Sequence, residues 1–146
     1  MTTDIDRDAE IAEVTETISA SIKWCFPDKD RERCYAHTAH DSNFFIFHPD
    51  SRSTIKGFDH FQRHAEAIFF NDLFKAISSE IKDLRVNLSG SGDVAWFSCL
   101  LDDFGEWDGQ PVGWKDCRWT GVLEKREGKW LLVQQHFSLA SDGASE

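Results

Sequence analysis

Between Ile77 and Leu139 the chain passes through four stretches of strand-forming residues, Ile77 to Leu88, Val94 to Leu101, Val112 to Lys125 and Trp130 to Leu139. They are separated only by Ser89-Gly-Ser-Gly92, Asp102 to Pro111 and Arg126-Glu-Gly128. Connections this short make consecutive strands pair antiparallel, since a parallel return needs a crossover of roughly a dozen residues or more. A sheet built this way has two faces, and a 146-residue chain with 40% apolar side chains must cover at least one of them. The cover lies upstream. Ile11, Val14, Ile18, Ile22 and Cys25 recur at helical spacing behind Asp6, Asp8 and Glu10, whose carboxylates complement a helix dipole. That helix stops at Phe26-Pro27, and Asp28 or Asp30 caps a short second helix carrying Arg31, Arg33 and Tyr35. Phe44 to His48 reads as a short strand closed by Pro49-Asp50-Ser51. Phe58, Phe61, Ala65 and Ile68 then lay an apolar stripe along a third helix running to about Asn71, widened by Phe69 and Phe70. The expectation is an α+β fold, a curved antiparallel sheet wrapped around N-terminal helices, forming one domain over residues 1–146 with a frayed tail at 141–146.

The last hairpin sets which side chains share a face. Lys125-Arg-Glu-Gly-Lys129 reads as a three-residue loop with Gly128 in the left-handed position and a bulge. With Lys125 opposite Lys129, Trp119 faces Gln135, Cys117 faces Phe137 and Gly121 faces Val133, while Arg118 with His136 and Thr120 with Gln134 fall on the other side. A two-residue turn instead shifts these partners by one and moves one strand's set to the opposite face.

Composition narrows the partners. Lysine and arginine number 16 against 26 acidic residues, a formal charge of −10 that repels phosphate backbones and anionic headgroups, so neither nucleic acid nor a membrane surface is expected. The longest unbroken apolar run, Phe44 to Phe47, is far shorter than the ~20 residues of a membrane span. The acidic start, Met1 to Glu10, lacks the basic-then-apolar layout of an export signal, which makes the reducing cytoplasm the expected compartment. Cys25, Cys34, Cys99 and Cys117 contain no C-x-x-C pair and read as small buried hydrophobes. Twelve Phe and six Trp suit either a large packed core or an aromatic-walled cavity, and composition does not separate the two.

The order helix, short helix, strand, helix, curved sheet resembles the nuclear transport factor 2-like superfamily, and Thr120 to Trp130 followed by Gln134-Gln-His-Phe-Ser138 is similar to its SnoaL-like branch. The resemblance covers nearly the whole chain and implies a cone-shaped fold. Members include ketosteroid isomerases, SnoaL-like polyketide cyclases, scytalone dehydratase and the association domain of calcium/calmodulin-dependent kinase II. Phe47-His48-Pro49 and Ile55-Lys-Gly57 resemble the strand, loop and helix start that carry the general base in the isomerases, with His48 where they place an aspartate. The isomerases also use a tyrosine on the first helix and a protonated carboxylic acid on the sheet. Here the first helix has no tyrosine and the matched sheet position falls near Thr120 or Gly121, which disfavours a steroid isomerase.

The resemblance implies a small, largely apolar molecule in an interior pocket and one of two roles. In the first the chain is an isomerase, cyclase or dehydratase needing no cofactor, with His48 as general base or acid and Asp50 as its orienter. In the second it is a noncatalytic dimerisation or assembly module. Trp96, Trp119, Gln135 and Phe137 would line the pocket with His64 and His48 at its rim; alternatively these aromatics fill a core and His48 is a turn histidine beside Pro49. His60 and His64 share a helix face, but no third metal ligand is placed by the sequence, and no metal is expected. His37 and His40 fall in a polar loop, and the carboxylates of Asp102 to Asp108 read as a solvated hairpin loop, with Trp107 or Trp114 folding over the cavity mouth or an adjoining subunit. Arg118 and His136 either bind a carboxylate or lie on the outer sheet face, through which members of the superfamily commonly form homodimers.

Overall fold

The computed structural model describes residues 5–25 and 28–141, so all but Ser141 of the expected tail, and the Phe26-Pro27 helix stop, lie outside the described residues. Helix α1 (Arg7–Lys23) opens on Asp6, whose side chain accepts from the Ala9 amide and satisfies one of the four amides a helix start leaves unpaired. Helix α2 (Arg31–Ala36) is capped in the same way by Asp30, which accepts from the Arg33 amide. Strand β1 (Phe45–Phe47) is followed by a short 3₁₀ turn at Ser51–Ser53, strand β2 (Ile55–Lys56) and helix α3 (Phe58–Ala67). The third helix ends four residues before the expected Asn71, and Phe69 and Phe70 lie in the turn beyond it.

Four long strands complete the chain: β3 (Phe74–Leu88), β4 (Val94–Trp107), β5 (Gln110–Arg126) and β6 (Lys129–Ser138). The sheet order is β2-β1-β6-β5-β4-β3. The four long strands pair antiparallel as expected, and the sheet as a whole is mixed because β1 runs parallel to β6, pairing Phe47 with His136. The 3₁₀ turn, β2, α3 and strands β3 to β5 lie between the two in the chain and supply the long connection that a parallel neighbour requires. Bulges interrupt the register between Ala76 and Ser78, between Lys82 and Arg85, between Leu101 and Asp103, and between Val122 and Leu123. Each adds local twist and bend, and together they curve the sheet over the helices.

The core lies between the helices and the concave face, where Val14 and Ile18 of α1, Phe61 and Ala65 of α3, and Phe97, Leu101, Trp119, Leu123 and Leu132 of the sheet are buried. Cys34, Cys99 and Cys117 are buried free thiols and Cys25 is half-buried. Burial raises Cys99 to about 12 and Cys117 to about 11, which leaves both in the thiol form at neutral pH. The far end of the sheet is tied down by Arg126, which reaches Asp41 and Glu124, and by Glu10, which accepts from both Lys125 and the Trp130 indole.

Two expectations about the hairpins are corrected. The β5–β6 connection is a two-residue turn with Glu127 and Gly128 both at positive φ, and Arg126 pairs with Lys129. A bulge then passes over Val133, so that Trp119 faces Phe137, Gly121 faces Gln135 and Thr120 faces His136. The expected solvated loop from Asp102 to Pro111 is instead the end of β4, an Asp108-Gly109 turn at positive φ and the start of β5.

Candidate functional site

His48 directly follows β1, where the parallel pairing with β6 sets its ring against Phe137, stacked at 5.3 Å between centroids. Its Nδ1 lies 2.6 Å from the Ser53 carbonyl oxygen. A carbonyl only accepts, so Nδ1 carries the proton and the neutral ring keeps its lone pair on Nε2. Burial pushes the His48 pKa below the ordinary histidine value, against the opposing pull of the Ser53 hydrogen bond and the Asp50 charge. His48 is therefore a neutral imidazole at pH 7 with a defined tautomer.

Asp50 contributes one step removed. Its carboxylate accepts from the Arg52 amide at 2.9 Å and the Ser53 hydroxyl at 3.0 Å, capping the turn that presents the Ser53 carbonyl to His48. It holds the orienting group and does not itself hydrogen-bond the ring.

His64 comes from α3 and stacks on His48 at 5.7 Å, with Phe69 edge-on at 5.6 Å. Burial, and then the neighbouring His48 and His60, push its pKa down. His60 is engaged elsewhere, its Nδ1 accepting from the Lys56 amide, so the two α3 histidines do not converge. Among the described residues no group of three or more histidine, cysteine or acidic side chains is placed to hold a metal.

His48, Asp50 and His64 line a cavity of about 360 Å³, together with aromatic rings that include Phe69, Phe74 and Trp114. A deeper chamber of about 110 Å³ adjoins it, sharing His48, Phe69 and Trp114 and adding Gln135, Phe137 and Trp24. Gln135 is fixed by its neighbour: the Trp119 indole N–H, a donor only, gives a hydrogen bond at 3.0 Å to Gln135 Oε1, which leaves the amide NH₂ end for the chamber.

The sequence-predicted residues divide accordingly. His64, Gln135 and Phe137 line the cavity or its inner chamber with His48 and Asp50. Trp119 does not; it is fully buried behind Phe137, stacked at 5.4 Å, and serves as backing. Trp96 is on the convex face, 47% exposed, because Ala95, Phe97, Cys99 and Leu101 take the inward positions of β4. The inward aromatic of that strand is its neighbour Phe97. Arg118 and His136 are both exposed on the convex face and are not direct partners, Arg118 standing opposite Ser138.

Asp103 is the residue that sequence reasoning missed. It lines both chambers, and burial alone raises its carboxyl to about 6. The signal was present in the alternation Phe97, Cys99, Leu101, which continued by two places the same inward face to Asp103; reading Asp102 to Asp108 as solvated loop cut it short. Trp114, which faces Asp103 across the β4–β5 ladder, points inward only because the bulge around Asp116, at positive φ, reverses the alternation of β5.

No curated protein matches the chain. Among solved structures it is similar to an NTF2-like protein of unknown function from Pseudomonas putida KT2440, with 19% identity, TM-score 0.71 and coverage of 94% of this chain and 92% of the other. A Streptomyces avermitilis protein of the NTF2-like family, provisionally named a dehydratase, matches with 18% identity and TM-score 0.73 over 91% of this chain and 97% of its own. A structure from Catenulispora acidiphila in complex with S-DNPA matches at 12% identity and TM-score 0.71, covering 95% of this chain and 99% of that one. At these identities the likeness shows the fold. The NTF2-like structures share its fold; the sequence model of the SnoaL-like domain matches residues 14–142, spanning α1 from its first buried residue through the whole sheet, and the chain belongs to that SnoaL-like family.

Proposed function

We propose that the protein is a cofactor-independent enzyme of the isomerase, cyclase or dehydratase kind, acting on a small, largely apolar molecule held in the concave cavity. The observation that carries this reading is the state of His48: a neutral ring with Nδ1–H held on the Ser53 carbonyl and its lone pair on Nε2, at the wall of an aromatic-lined cavity of about 360 Å³. A cavity of this size falls in the range of small-molecule sites, and the few polar groups among aromatic walls suit orientation of one ligand. His48 serves as general base, the Asp50-capped turn positions it, and His64, Gln135 and Phe137 contact the ligand. The Catenulispora acidiphila structure with S-DNPA is consistent with a ligand-binding version of this fold.

Native mass spectrometry of the purified protein tests for a co-purified molecule, and that molecule is then offered as substrate to the wild type and to His48→Gln. Turnover should fall by about 10²–10⁴-fold in the variant with folding unchanged; unaltered turnover rejects the role of His48.

A second reading, assembly through a second copy, rests on the convex face. Among the described residues no helix covers it, and it carries Phe47, exposed at 45%, and Trp96, exposed at 47%, among mostly polar side chains. The two readings are compatible, since cavity and convex face lie on opposite sides of one sheet.

A further inference from the structure

A charge drawn away from water needs an opposite charge or hydrogen-bond donors beside it, and a cavity that holds one unpaired is shaped for a ligand that brings them. The larger chamber meets that description. Asp103 stands in its wall, and the side chain makes no hydrogen bond or ion pair among the described residues. Neither chamber it lines includes a lysine or arginine. Nearby cations are engaged elsewhere: Lys82 is shared by Asp102 and Asp116, and Lys29 gives its Nζ to the Asn71 carbonyl, over the Phe74 ring.

The rest of the wall is largely aromatic. Phe69, Phe74, Phe104, Trp107 and Trp114 line the same cavity, with Trp114 opposite Asp103 in the β4–β5 register. Ring faces are electron-rich and attract a cation, indole most strongly. The whole chain adds the same preference, since its formal charge of −10 draws cations toward a cleft. A metal ion is a poor match for this wall. A hard cation takes about six or more oxygen ligands, and among the described residues no group of three or more histidine, cysteine or acidic side chains is placed to hold one. An ammonium group on an apolar body suits both the carboxylate and the rings.

We propose that the cavity selects a small apolar molecule bearing one protonated amine, whose ammonium pairs with the Asp103 carboxylate while the aromatic rings enclose the remainder. This names a substrate class for the small-molecule reading above and rests on it.

The titratable groups around Asp103 set the pH at which the pairing works. Burial alone holds its carboxyl at about 6, so near neutrality it is mostly a carboxylate. His48 and His64 line the same cavity, and burial pushes both below the ordinary histidine value, so neither supplies a competing positive charge there. Asp50 adds a second carboxylate, already engaged by the Arg52 amide and the Ser53 hydroxyl. Burial first, and the Asp103 charge after it, raise Cys25 and Cys117, which stay uncharged thiols. Ser79, the register partner of Asp103 on β3, carries no charge. Acid undoes the pairing from two sides, because Asp103 takes a proton and the histidines gain positive charge.

The test titrates the full chain calorimetrically with phenethylamine, which is protonated at both pH 5 and pH 8, beside phenethyl alcohol and phenylpropionate as its neutral and anionic counterparts. At pH 8 the amine should bind about tenfold more tightly than the alcohol, and the anion should not bind measurably. At pH 5 only about a tenth of Asp103 is ionised, so amine affinity should fall about tenfold while that of the alcohol holds. Asp103→Asn, which keeps size and shape, should bind the amine no better than the alcohol at either pH. Direct ¹³C titration of the Asp103 carboxyl reads the same pairing without a variant: its midpoint should lie near 6 in the free protein and fall by about a unit or more in saturating amine. A midpoint that the amine does not move, equal binding of amine and alcohol at pH 8, or undiminished amine affinity in Asp103→Asn overturns amine recognition while leaving the cavity a ligand site. Failure of all three probes to bind overturns the small-molecule reading and this inference with it.

Discussion

At the scale of single residues the cavity works by withholding water from groups that prefer to be charged. For Asp103 this has a consequence that needs no substrate. Its folded-state pKa, about 6, lies above the unfolded value, so the folded chain holds the proton more tightly. The stability linked to this carboxyl is fully present below the unfolded pKa and is lost as pH rises through about 6. Asp103→Asn removes the titration while keeping size and shape. The variant should match the wild type near pH 4 and exceed it at pH 8, by up to about 3 kcal/mol, measured by urea unfolding at both pH values. Equal stability at pH 8 would show that water or a partner reaches the carboxylate. His48 titrates with the opposite sign: its lowered pKa means that acid, not base, removes the stability linked to it. His48→Gln should therefore unfold less readily than the wild type at pH 5 and equally at pH 8, a difference read from the same urea curves.

At the scale of elements, β-bulges decide which of these side chains face one another. The β4–β5 hairpin depends on Gly113, at φ +130°, where a Cβ would run into the Asp103 backbone carbonyl. Gly113→Ala should cost about 2–3 kcal/mol and weaken ligand binding together with stability, because both residues it disturbs, Asp103 and Trp114, line the cavity. Unfolding curves and probe titration on one preparation check both effects. The β5–β6 hairpin shows what the sequence could convey. The expected loop is one residue longer than the observed turn, and the bulge over Val133 shifts the register by one more, so the partners from Gln134 onward move by two places and keep their faces, whereas before the bulge Trp130 and Leu132 turn inward. Gln135 and Phe137 consequently point inward as the alternation implied, although their partners differ from those expected. Alternation along one strand was legible; bulges were not, since they arise from the fit of two strands, and Trp114 was uninterpretable without the one at Asp116. The helices were legible for the opposite reason, their caps at Asp6 and Asp30 being local. The parallel placement of β1 was not, because nothing in three residues says which edge they will join.

At the scale of the whole molecule the sheet divides the chain into a covered face and an uncovered one, and the uncovered face has an order of its own. Reading across the strands, one row holds Asn87, Trp96, Val122, Gln134 and Phe45, and the next holds Arg85, Ser98, Thr120, His136 and Phe47. Trp96 near one end of the first row, Phe45 and Phe47 at the other end of both, and mostly polar side chains between them suit a self-complementary contact in which the Trp96 end of one copy meets the Phe47 end of the other. Such a pairing leaves the cavity untouched, which makes assembly and ligand binding separable. Sedimentation of the wild type at micromolar concentration should show a dimer. Trp96→Asp should raise its dissociation constant by about 30-fold or more, as loss of a central aromatic anchor does. Because Trp96 contacts neither chamber, the same variant should keep its circular dichroism and its affinity for a cavity probe. A wild type that sediments as a monomer, or a Trp96→Asp dimer as tight as the wild type, would mean that the convex face is solvated. The mixed row of aromatic and polar residues would then be surface and nothing more. If instead the variant loses dimer and probe together, the cavity walls depend on the partner, and the concave site belongs to the pair and not to the single chain.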